Sequence, residues 1–505
     1  MKPYFDDASE VYQYLGGVFH VADAHPDVGP RLRASGLTFR IDYSRPAAIL
    51  TVRMRPEGIE VIEGATDVRP DVRLAMSADN GDRFWRGEYN AAVGLATGEV
   101  RARGPVSKLL SLLPLAKPVF PLYQENDRRQ GREGRAMKAT VALQHGPGSP
   151  FSLEPVELSR PAADEVVVRM AGVGVCHTDW TAAAGTVPLP PPFVLGHEGA
   201  GTVTAVGPGV NSLAIGDQVV LSFDACRVCP QCTAGHPAYC VLSPALNYSG
   251  MRPDGTTTMS QEGRPVHGSW FGQSSFGTHA LASVRNAVKI PSLPEGLSLD
   301  ILGPLGCGVL TGAGTVMNVL RPRPGQSIAV FGLGTVGLAT VMAAAVAGCR
   351  PIIGIDPNPL RRRVADDLGC THTLHPDATD DLDWALAEIT GAGADFTVDT
   401  VGSDTVVRQA LQALRTPGIC ATLGLQSMEN NVTIDQGHLL MGRTLTGVIE
   451  GDADPRILVP CLIDLWRQGR FPFDRLVRRY PFHRIEDAVK AGRTGTVVKP
   501  VLVFD

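Results

Sequence analysis

The sequence has no apolar run long enough to cross a membrane. Its longest nearly apolar stretch, residues 338–349, covers about a dozen residues, whereas a bilayer requires ~20. A signal peptide would begin with basic residues followed by an apolar segment, whereas here a single lysine is followed by Asp6 and Asp7. We therefore expect no signal peptide and a cytoplasmic location. Positive charge is not in excess either. The 46 basic and 51 acidic residues leave a net charge of −5, which favours neither nucleic acid nor anionic lipid as a partner.

Aromatic residues are few, at 6%, and charged residues make up 19%, whereas hydrophobic residues reach 44%. This composition is typical of a globular chain and excludes extensive disorder. At roughly 150 residues per domain, the 505 residues predict about three domains. Four of the ten cysteines cluster at positions 226, 229, 232 and 240. In a reducing compartment such a cluster indicates metal binding and not disulfides.

Apolar and polar residues alternate in four stretches of the first 123 residues, namely 37–43, 48–54, 59–61 and 72–76. This alternation predicts half-buried strands, which we interpret as an antiparallel sheet with helices laid on it. Residues 124–136 contain no large apolar side chain, which is typical of a linker.

Two further patterns divide the rest of the chain. Residues 137–308 are rich in Gly, Pro and Val and contain short strand-like segments, which predicts a barrel-like β domain. Over 309–450 strand and helix patterns alternate, which predicts an α/β domain with a doubly wound parallel sheet. Its predicted strands are 327–331, 351–355, 395–399, 419–423 and 444–449.

A glycine-rich turn follows the first of these strands. Gly332, Gly334 and Gly337 permit a tight turn, close approach of a pyrophosphate and close packing of the next helix on the strand. Asp356 ends the following strand, where a carboxylate hydrogen-bonds the adenosine ribose and repels a 2′-phosphate. The pattern therefore predicts NAD as cofactor, with Thr335 and Val336 in the same turn. The arginines 361–363 leave NADP open, because a nearby arginine can bind a 2′-phosphate.

The cysteine cluster predicts a structural zinc site. Cys226, Cys229, Cys232 and Cys240 lie in one 15-residue loop and can complete a tetrahedral shell, which leaves no position open for chemistry. A catalytic zinc needs three protein ligands and one open position. The candidates are Cys176, His197 and Cys307. Their order along the chain supports this choice, because the four-cysteine cluster lies between His197 and Cys307, and Cys307 lies shortly before the glycine-rich turn.

With these sites, residues 137–505 resemble a zinc-containing alcohol dehydrogenase of the medium-chain dehydrogenase/reductase superfamily. The resemblance implies a GroES-like catalytic domain, 137–308 and 451–505, around a Rossmann coenzyme domain, 309–450. It further implies two zinc ions per chain and a homo-oligomer. Roles carried over by resemblance fall to Cys176, His197 and Cys307 as catalytic zinc ligands, Glu198 as the acid behind the zinc, Asp179 as the carboxylate that orients His197, Thr178 as acceptor of the alcohol proton, His177 and Lys499 as contacts of the cofactor pyrophosphate, and Arg361 near the adenosine ribose.

One position departs from the family. Zinc alcohol dehydrogenases often carry a histidine five residues after the first cysteine ligand as the outer end of a proton relay, and this chain has Thr181 there. The outer relay then runs through cofactor ribose and water, or another group serves as base.

The segments 272–276, 448–452 and 469–474 resemble the aryl-alcohol and allylic terpenoid alcohol branch, which implies an apolar primary alcohol and its aldehyde as substrates. We expect Trp180 and Phe223 to line an aromatic substrate channel; a position in the hydrophobic core is the alternative for both.

Two other functions are open. A thiol-adduct-dependent formaldehyde dehydrogenase would share every zinc and NAD residue. A lipid carrier with a vestigial dehydrogenase is the third interpretation, and the intact ligand set argues against it.

Residues 1–123 resemble a sterol carrier protein domain in their strand-rich middle, the segments 83–87 and 98–104, and the apolar tail at 109–122. Such domains enclose a hydrophobic tunnel, so the resemblance implies a lipid-like ligand. A helix that is apolar on several faces must be covered by protein or by ligand. The alternative is that the tail simply caps the sheet.

Overall fold

The computed structural model describes residues 5, 7–87, 89, 91–105, 108, 112–113, 117–120, 122–123, 137–377, 382–426 and 429–504. The chain forms two compact units, residues 1–135 and 136–505, which are described separately below. The predicted linker 124–136, and Leu109, Leu110 and Leu115 of the predicted apolar tail, lie outside the described residues. In the part of the chain that the structure describes, no helix combines the length and the apolar character needed to span a bilayer.

The first unit is built on one five-stranded sheet in the order β3-β2-β1-β4-β5. The strands are β1 (Thr38–Ser44), β2 (Ala48–Arg55), β3 (Gly58–Glu63), β4 (Val72–Ser77) and β5 (Arg101–Arg103). The predicted wholly antiparallel sheet is wrong at one place, because β1 and β4 run parallel. The connection 64–71 carries the chain past β2 and β1, and Asp71 fixes the start of β4 by accepting a hydrogen bond from Thr38 N at 2.8 Å. Alternation along a strand defines its faces but not its direction.

Helices cover one side of this sheet and close the core of the first unit. Ser77 caps one of them by accepting a hydrogen bond from Asn80 N at 3.1 Å. Buried Phe19, Phe39 and Trp85 meet edge to face, with ring centroids 5.4 and 5.7 Å apart. The helical segments are Ala8–Val11, a π-helical turn Tyr12–Gly16, Gly17–Ala24, Gly29–Ala34, Ala78–Trp85, Ala91–Thr97 and Lys117–Val119.

The second unit contains two antiparallel-rich sheets and one parallel sheet. Its strands are β6 (Met137–Gln144), β7 (Ser152–Leu158), β8 (Glu165–Gly174), β9 (Phe193–Val194), β10 (Glu198–Val206), β11 (Gln218–Leu221), β12 (Met259–Gln261), β13 (Arg264–Val266), β14 (His279–Ser283), β15 (Ala287–Ile290), β16 (Ile328–Phe331), β17 (Ile352–Ile355), β18 (His372–Leu374), β19 (Ala394–Asp399), β20 (Leu414–Thr422), β21 (Arg443–Gly447), β22 (Val477–Pro481) and β23 (Lys499–Val503).

Helices and single helical turns connect these strands. They are His177–Ala183, Pro230–Thr233, Pro237–Tyr239, Ser243–Asn247, Trp270–Gly272, Leu299–Ile301, Gly303–Gly306, Gly308–Gly314, Thr315–Leu320, Thr335–Ala347, Pro359–Leu368, Leu382–Thr390, Asp404–Gln412, Gln436–Leu440, Glu450–Asp452, Pro455–Arg467, Phe473–Leu476, Phe482–Arg484 and Ile485–Arg493.

The end of the chain completes the larger of the two antiparallel-rich sheets. That sheet has the order β15-β11-β10-β8-β23-β22, with β14 also paired to β8, and the smaller sheet has the order β13-β12-β7-β6-β9. The last strand, β23, lies antiparallel to β8 and parallel to β22. Residues before position 310 and residues after position 476 therefore share one sheet.

The six strands β16 to β21 form a wholly parallel sheet in the order β18-β17-β16-β19-β20-β21. The pattern of the sequence predicts five of them, and the short β18 escapes it. The glycine turn follows β16, where Gly332 has φ of +90° and a Cβ on Gly337 would lie 1.9 Å from the Gly332 carbonyl oxygen. Only glycine permits this turn and this packing distance.

Candidate active site

The loop after β8 holds the first cysteine of the site. Cys176 caps the helix His177–Ala183, and its backbone N–H donates to Asp179 Oδ2 at 3.1 Å. Asp179 is buried on the first turn of that helix. A carboxylate in the first turn of a helix is favoured by the free N–H groups and by the helix dipole, which explains why the sequence places it there.

The Asp179 carboxylate also fixes His197, which follows β9 and has no exposed surface. Asp179 Oδ1 accepts hydrogen bonds from His197 Nδ1 at 2.8 Å, Gly196 N at 3.1 Å and Trp270 Nε1 at 3.1 Å. With Nδ1 occupied in this way, the other ring nitrogen faces Cys307 Sγ at 3.3 Å. A histidine oriented by a carboxylate through Nδ1 is arranged to bind a metal through Nε2.

The ligand atoms of Cys176, His197, Glu198 and Cys307 all lie within 4.8 Å of one another. Ligand atoms around a tetrahedral zinc ion stand roughly 3.5 Å apart, so two sulfurs and one imidazole nitrogen at this spacing fit zinc. The pKa of the Cys176 thiol is well below its ordinary value, because the Cys307 thiol hydrogen-bonds to it, which outweighs the effect of burial, and Lys499 adds positive charge. Thiolate character is what a metal ligand requires.

A buried ion pair lies behind these ligands. Lys499 Nζ, on β23, donates to both carboxylate oxygens of Glu198 at 2.8 and 2.9 Å and to Val175 O at 3.3 Å. Gly308 N donates to the same carboxylate at 3.2 Å. Lys499 is only 2% exposed. The structure thus directs the Lys499 ammonium to Glu198, and its contact with a cofactor pyrophosphate stays a prediction.

Glu450 is a carboxylate near the ligands that no motif singles out. Its Oε1 lies 3.8 Å from Cys307 Sγ, and its Oε2 accepts a hydrogen bond from Thr311 Oγ1 at 3.3 Å. Burial raises the pKa of Glu450 to about 7. The backbone there is strained, since Glu450 and Asp452 have φ of +49° and +45°. The signal in the sequence is the segment 448–452, which marks a branch of the family but assigns no role to the acid.

Aromatic rings cover one side of His197. Phe271 stacks on its imidazole with centroids 4.4 Å apart and an interplanar angle of 23°, and Tyr248 lies edge-on to Phe271 at 5.4 Å. Trp180, by contrast, donates its indole N–H to His177 Nδ1 at 3.0 Å, and Phe223 is buried. The aromatic side chains that the structure brings to the imidazole are therefore Trp270 and Phe271. The channel lining by Trp180 and Phe223 stays a prediction.

Cys226, Cys229, Cys232 and Cys240 form a second constellation. Their sulfurs lie within 4.8 Å of one another, and those of Cys226 and Cys232 are 3.9 Å apart. A tetrahedral zinc ion with Zn–S bonds of ~2.3 Å separates its sulfurs by roughly 3.8 Å, so the four thiols fit zinc. Cys226 Sγ accepts a hydrogen bond from Cys229 N, and Cys240 Sγ accepts one from Cys226 N, both at 3.3 Å.

The four-cysteine loop is tied to the Glu450 turn and the residues after it by one hydrogen bond and one ion pair. His236 Nδ1 lies 2.8 Å from Asp452 Oδ1, and Arg227 Nη1 lies 3.2 Å from Asp454 Oδ2. The strained turn that carries Glu450 is thus fastened to the four-cysteine loop.

The nucleotide-binding turn is arranged around Asp356. Its carboxylate accepts hydrogen bonds from Leu333 N at 2.8 Å and Asn358 N at 2.7 Å, and Arg361 Nη1 lies 3.5 Å from Oδ2. Gly334 has open space where a Cβ would stand. Among the described residues, the buried Arg361 Nε has no hydrogen-bond partner. The Arg361 Nε–H could donate to a ribose hydroxyl group, and the Asp356 carboxylate could accept a hydrogen bond from one.

The remaining predicted residues are distributed around the two sites. Thr178 Oγ1 lies 3.7 Å from Cys176 Sγ, His177 is exposed on the same helix, and Thr335 donates to Val498 O at 3.3 Å. Val336 and Gly337 lie in the first turn of the helix that follows the glycines.

The chain matches two family models, the alcohol dehydrogenase GroES-like domain over residues 162–292 and the zinc-binding dehydrogenase over residues 335–465. It is 45% identical over 370 residues to a geraniol dehydrogenase of Castellaniella defragrans, a match that covers 73% of this chain and 98% of that enzyme. The chain belongs to the zinc-dependent medium-chain alcohol dehydrogenases. The family predicted from the sequence is confirmed. Enzymes of this family bind zinc and a nicotinamide cofactor.

Two solved structures share the fold of this dehydrogenase. An alcohol dehydrogenase zinc-binding domain protein from Burkholderia ambifaria matches with a TM-score of 0.71 and 43% identity, covering 73% of this chain and 100% of that one. The benzyl alcohol dehydrogenase of Acinetobacter calcoaceticus matches with a TM-score of 0.70 and 37% identity, covering 73% and 99% of the two chains. The predicted GroES-like and Rossmann folds are confirmed.

Asp179→Asn tests how far the carboxylate orients the histidine. The substitution keeps the shape of the side chain but removes the charge that holds His197 Nδ1. The measurement adds zinc back to chelator-treated enzyme and records the zinc concentration at which half of the activity returns. We expect this concentration to be about 10–100-fold higher for Asp179→Asn than for wild type. Asp254→Asn, in an exposed turn, serves as the matched control and should leave this concentration unchanged. Equal values for wild type and Asp179→Asn would contradict an orienting role.

Proposed function

We propose that the enzyme oxidises primary aryl or allylic alcohols to aldehydes, with zinc and NAD, by hydride transfer. The observation that carries the proposal is the aromatic wall, Phe271 and Tyr248, packed against an imidazole that Asp179 directs at Cys307. Flat, apolar side chains of this kind bind planar substrates. The names of the two relatives, geraniol dehydrogenase and benzyl alcohol dehydrogenase, support the same substrate class.

In this proposal, zinc binding, proton transfer and substrate binding fall to different side chains. When bound by Cys176, His197 and Cys307, zinc supplies a Lewis acid that makes the alcohol more acidic. Thr178, 3.7 Å from Cys176 Sγ, receives the alcohol proton on its hydroxyl oxygen and passes its own hydroxyl proton on towards water. Phe271 and Tyr248 hold the apolar part of the alcohol and exclude water.

A panel of alcohols monitored by NADH absorbance tests the proposed substrate class. We expect kcat/KM for benzyl alcohol and geraniol to exceed that for ethanol by at least about tenfold, because the aromatic wall binds the planar part of the molecule. Formaldehyde, assayed with and without a low-molecular-weight thiol, is the comparison that separates the rival enzyme. A higher kcat/KM for the formaldehyde–thiol adduct than for every alcohol would overturn the proposal.

We further propose two zinc ions per chain with separate tasks. Cys307→Ser removes a ligand of the catalytic site and should abolish turnover, with the midpoint of urea unfolding close to that of wild type. Cys229→Ser should lower that midpoint first, because structural zinc contributes directly to the free energy of folding. Cys349→Ser, a buried cysteine outside both clusters, is the control for a cysteine replacement as such. Indistinguishable unfolding of the Cys307 and Cys229 variants would refute separate roles.

We propose that Asp356 makes NAD the preferred cofactor, with Arg361 near the ribose, Gly332, Gly334 and Gly337 around the pyrophosphate, and Thr335 and Val336 beside them. Asp356→Ser should lower kcat/KM for NAD and raise the ratio of kcat/KM for NADP to kcat/KM for NAD, because the serine no longer repels a 2′-phosphate. Arg408→Ser, on an exposed helix, is the control. A wild-type enzyme that already favours NADP would mean that arginines 361–363 dominate.

The division of the chain is part of the same proposal. We assign residues 137–308 and 451–505 to the catalytic domain and 309–450 to the coenzyme domain, with 124–136 as linker. Residues 1–123, within the first unit, we take to be a sterol carrier-like domain that binds an apolar molecule. Its support is an apolar cavity between the sheet and the helices.

A further inference from the structure

The first unit encloses a cavity of about 110 Å³ between its sheet and its helices. The wall is almost wholly apolar and includes Phe19, Ile41, Leu74, Phe84 and Trp85. These side chains come from both β1 and β4 and from the facing helices, so the cavity lies within the core of the unit.

Tyr43 is the exception in this wall. It lies on β1, lines the cavity and is only 5% exposed, yet its hydroxyl has no hydrogen-bond partner among the described residues. A Cβ on Gly81, another wall residue, would lie 3.3 Å from that hydroxyl, which places the hydroxyl at the wall. Burial raises the pKa of Tyr43 above its ordinary value, so the group stays a neutral donor.

Two other tyrosines of the unit have hydrogen-bond partners. Tyr89, which also lines the cavity, donates to Glu99 at 3.0 Å, and Tyr123 donates to Asp82 at 2.8 Å. A hydroxyl that borders an apolar cavity without a hydrogen bond to the protein remains free to donate to a molecule in that cavity. The Tyr43 hydroxyl is therefore the donor that an oxygen-bearing ligand would meet there.

The volume limits what that partner can be. A cavity of roughly 150 Å³ lined by apolar side chains holds one benzene ring. At about 110 Å³, the apolar space beside Tyr43 is of the size that one ring occupies. It suits a single ring or a branched unit of similar size.

We propose that the cavity of the first unit binds a small aryl alcohol or aldehyde, with its ring in the apolar wall and its oxygen accepting a hydrogen bond from the Tyr43 hydroxyl. The inference rests on the proposed function, because the ligand belongs to the substrate class of the dehydrogenase on the same chain. A second, non-catalytic site for the substrate would hold it at high local concentration near the enzyme.

The test uses the zinc-loaded full-length protein labelled with 5-fluorotryptophan and studied by ¹⁹F NMR. Trp85 lies in the cavity wall and Trp270 donates to Asp179 at the dehydrogenase site, so their resonances, identified through Trp85→Phe and Trp270→Phe, report the two sites separately. The probes are benzyl alcohol and toluene, which share the ring and differ in the hydroxyl group.

We expect both probes to shift the Trp85 resonance. Tyr43→Phe should weaken binding of benzyl alcohol at this site about tenfold, the equivalent of about 1.4 kcal/mol, and leave toluene unchanged. Tyr89→Phe is the matched control, because its hydroxyl is already bonded to Glu99, and should change neither probe.

Three outcomes would overturn the inference: a Trp85 resonance that neither probe moves, a Tyr43→Phe effect of equal size on both probes, or an equal loss in Tyr89→Phe. Failure of the proposed function would appear elsewhere, as an unmoved Trp270 resonance and no NADH formation with benzyl alcohol. The two failures are therefore distinguishable.

Discussion

The Asp179 carboxylate is the constraint on which the site depends. It accepts hydrogen bonds from the backbone of Cys176, from the imidazole of His197, from Gly196 N and from the indole of Trp270. Three separate parts of the chain thereby converge on one buried carboxylate. Because a buried charge is tolerated only when it is fully hydrogen-bonded, displacing any of these donors would be costly, so Asp179 fixes the positions of Cys176 and His197.

The rest of the fold supports this centre from two sides. On one side, the last strand of the second unit pairs with β8 and brings Lys499 to Glu198, so the end of the chain contributes a residue to the site. On the other side, a strained turn presents Glu450 to Cys307, and the four-cysteine loop holds that turn through the hydrogen bond between His236 and Asp452. The structural cluster therefore contributes to the shape of the active site as well as to local folding.

Features with short sequence spacing could be predicted, and features made by distant pairs could not. The four cysteines and the glycine turn lie within single loops, so their spacing carries their geometry. The contacts of Glu450 with Cys307 and of Lys499 with Glu198 span 143 and 301 residues, and no local pattern encodes them. The same reason applies to the parallel pairing of β1 with β4, since alternation fixes the face of a strand but not its partner.

The central proposal is that two separate clusters of side chains each hold one zinc ion. Native mass spectrometry of the full-length protein tests it most directly, with the Cys176→Ala, Cys307→Ala double variant beside wild type. The account predicts two zinc ions per wild-type chain and one per variant chain, because the four-cysteine cluster remains intact. An unchanged zinc count in the double variant would contradict it.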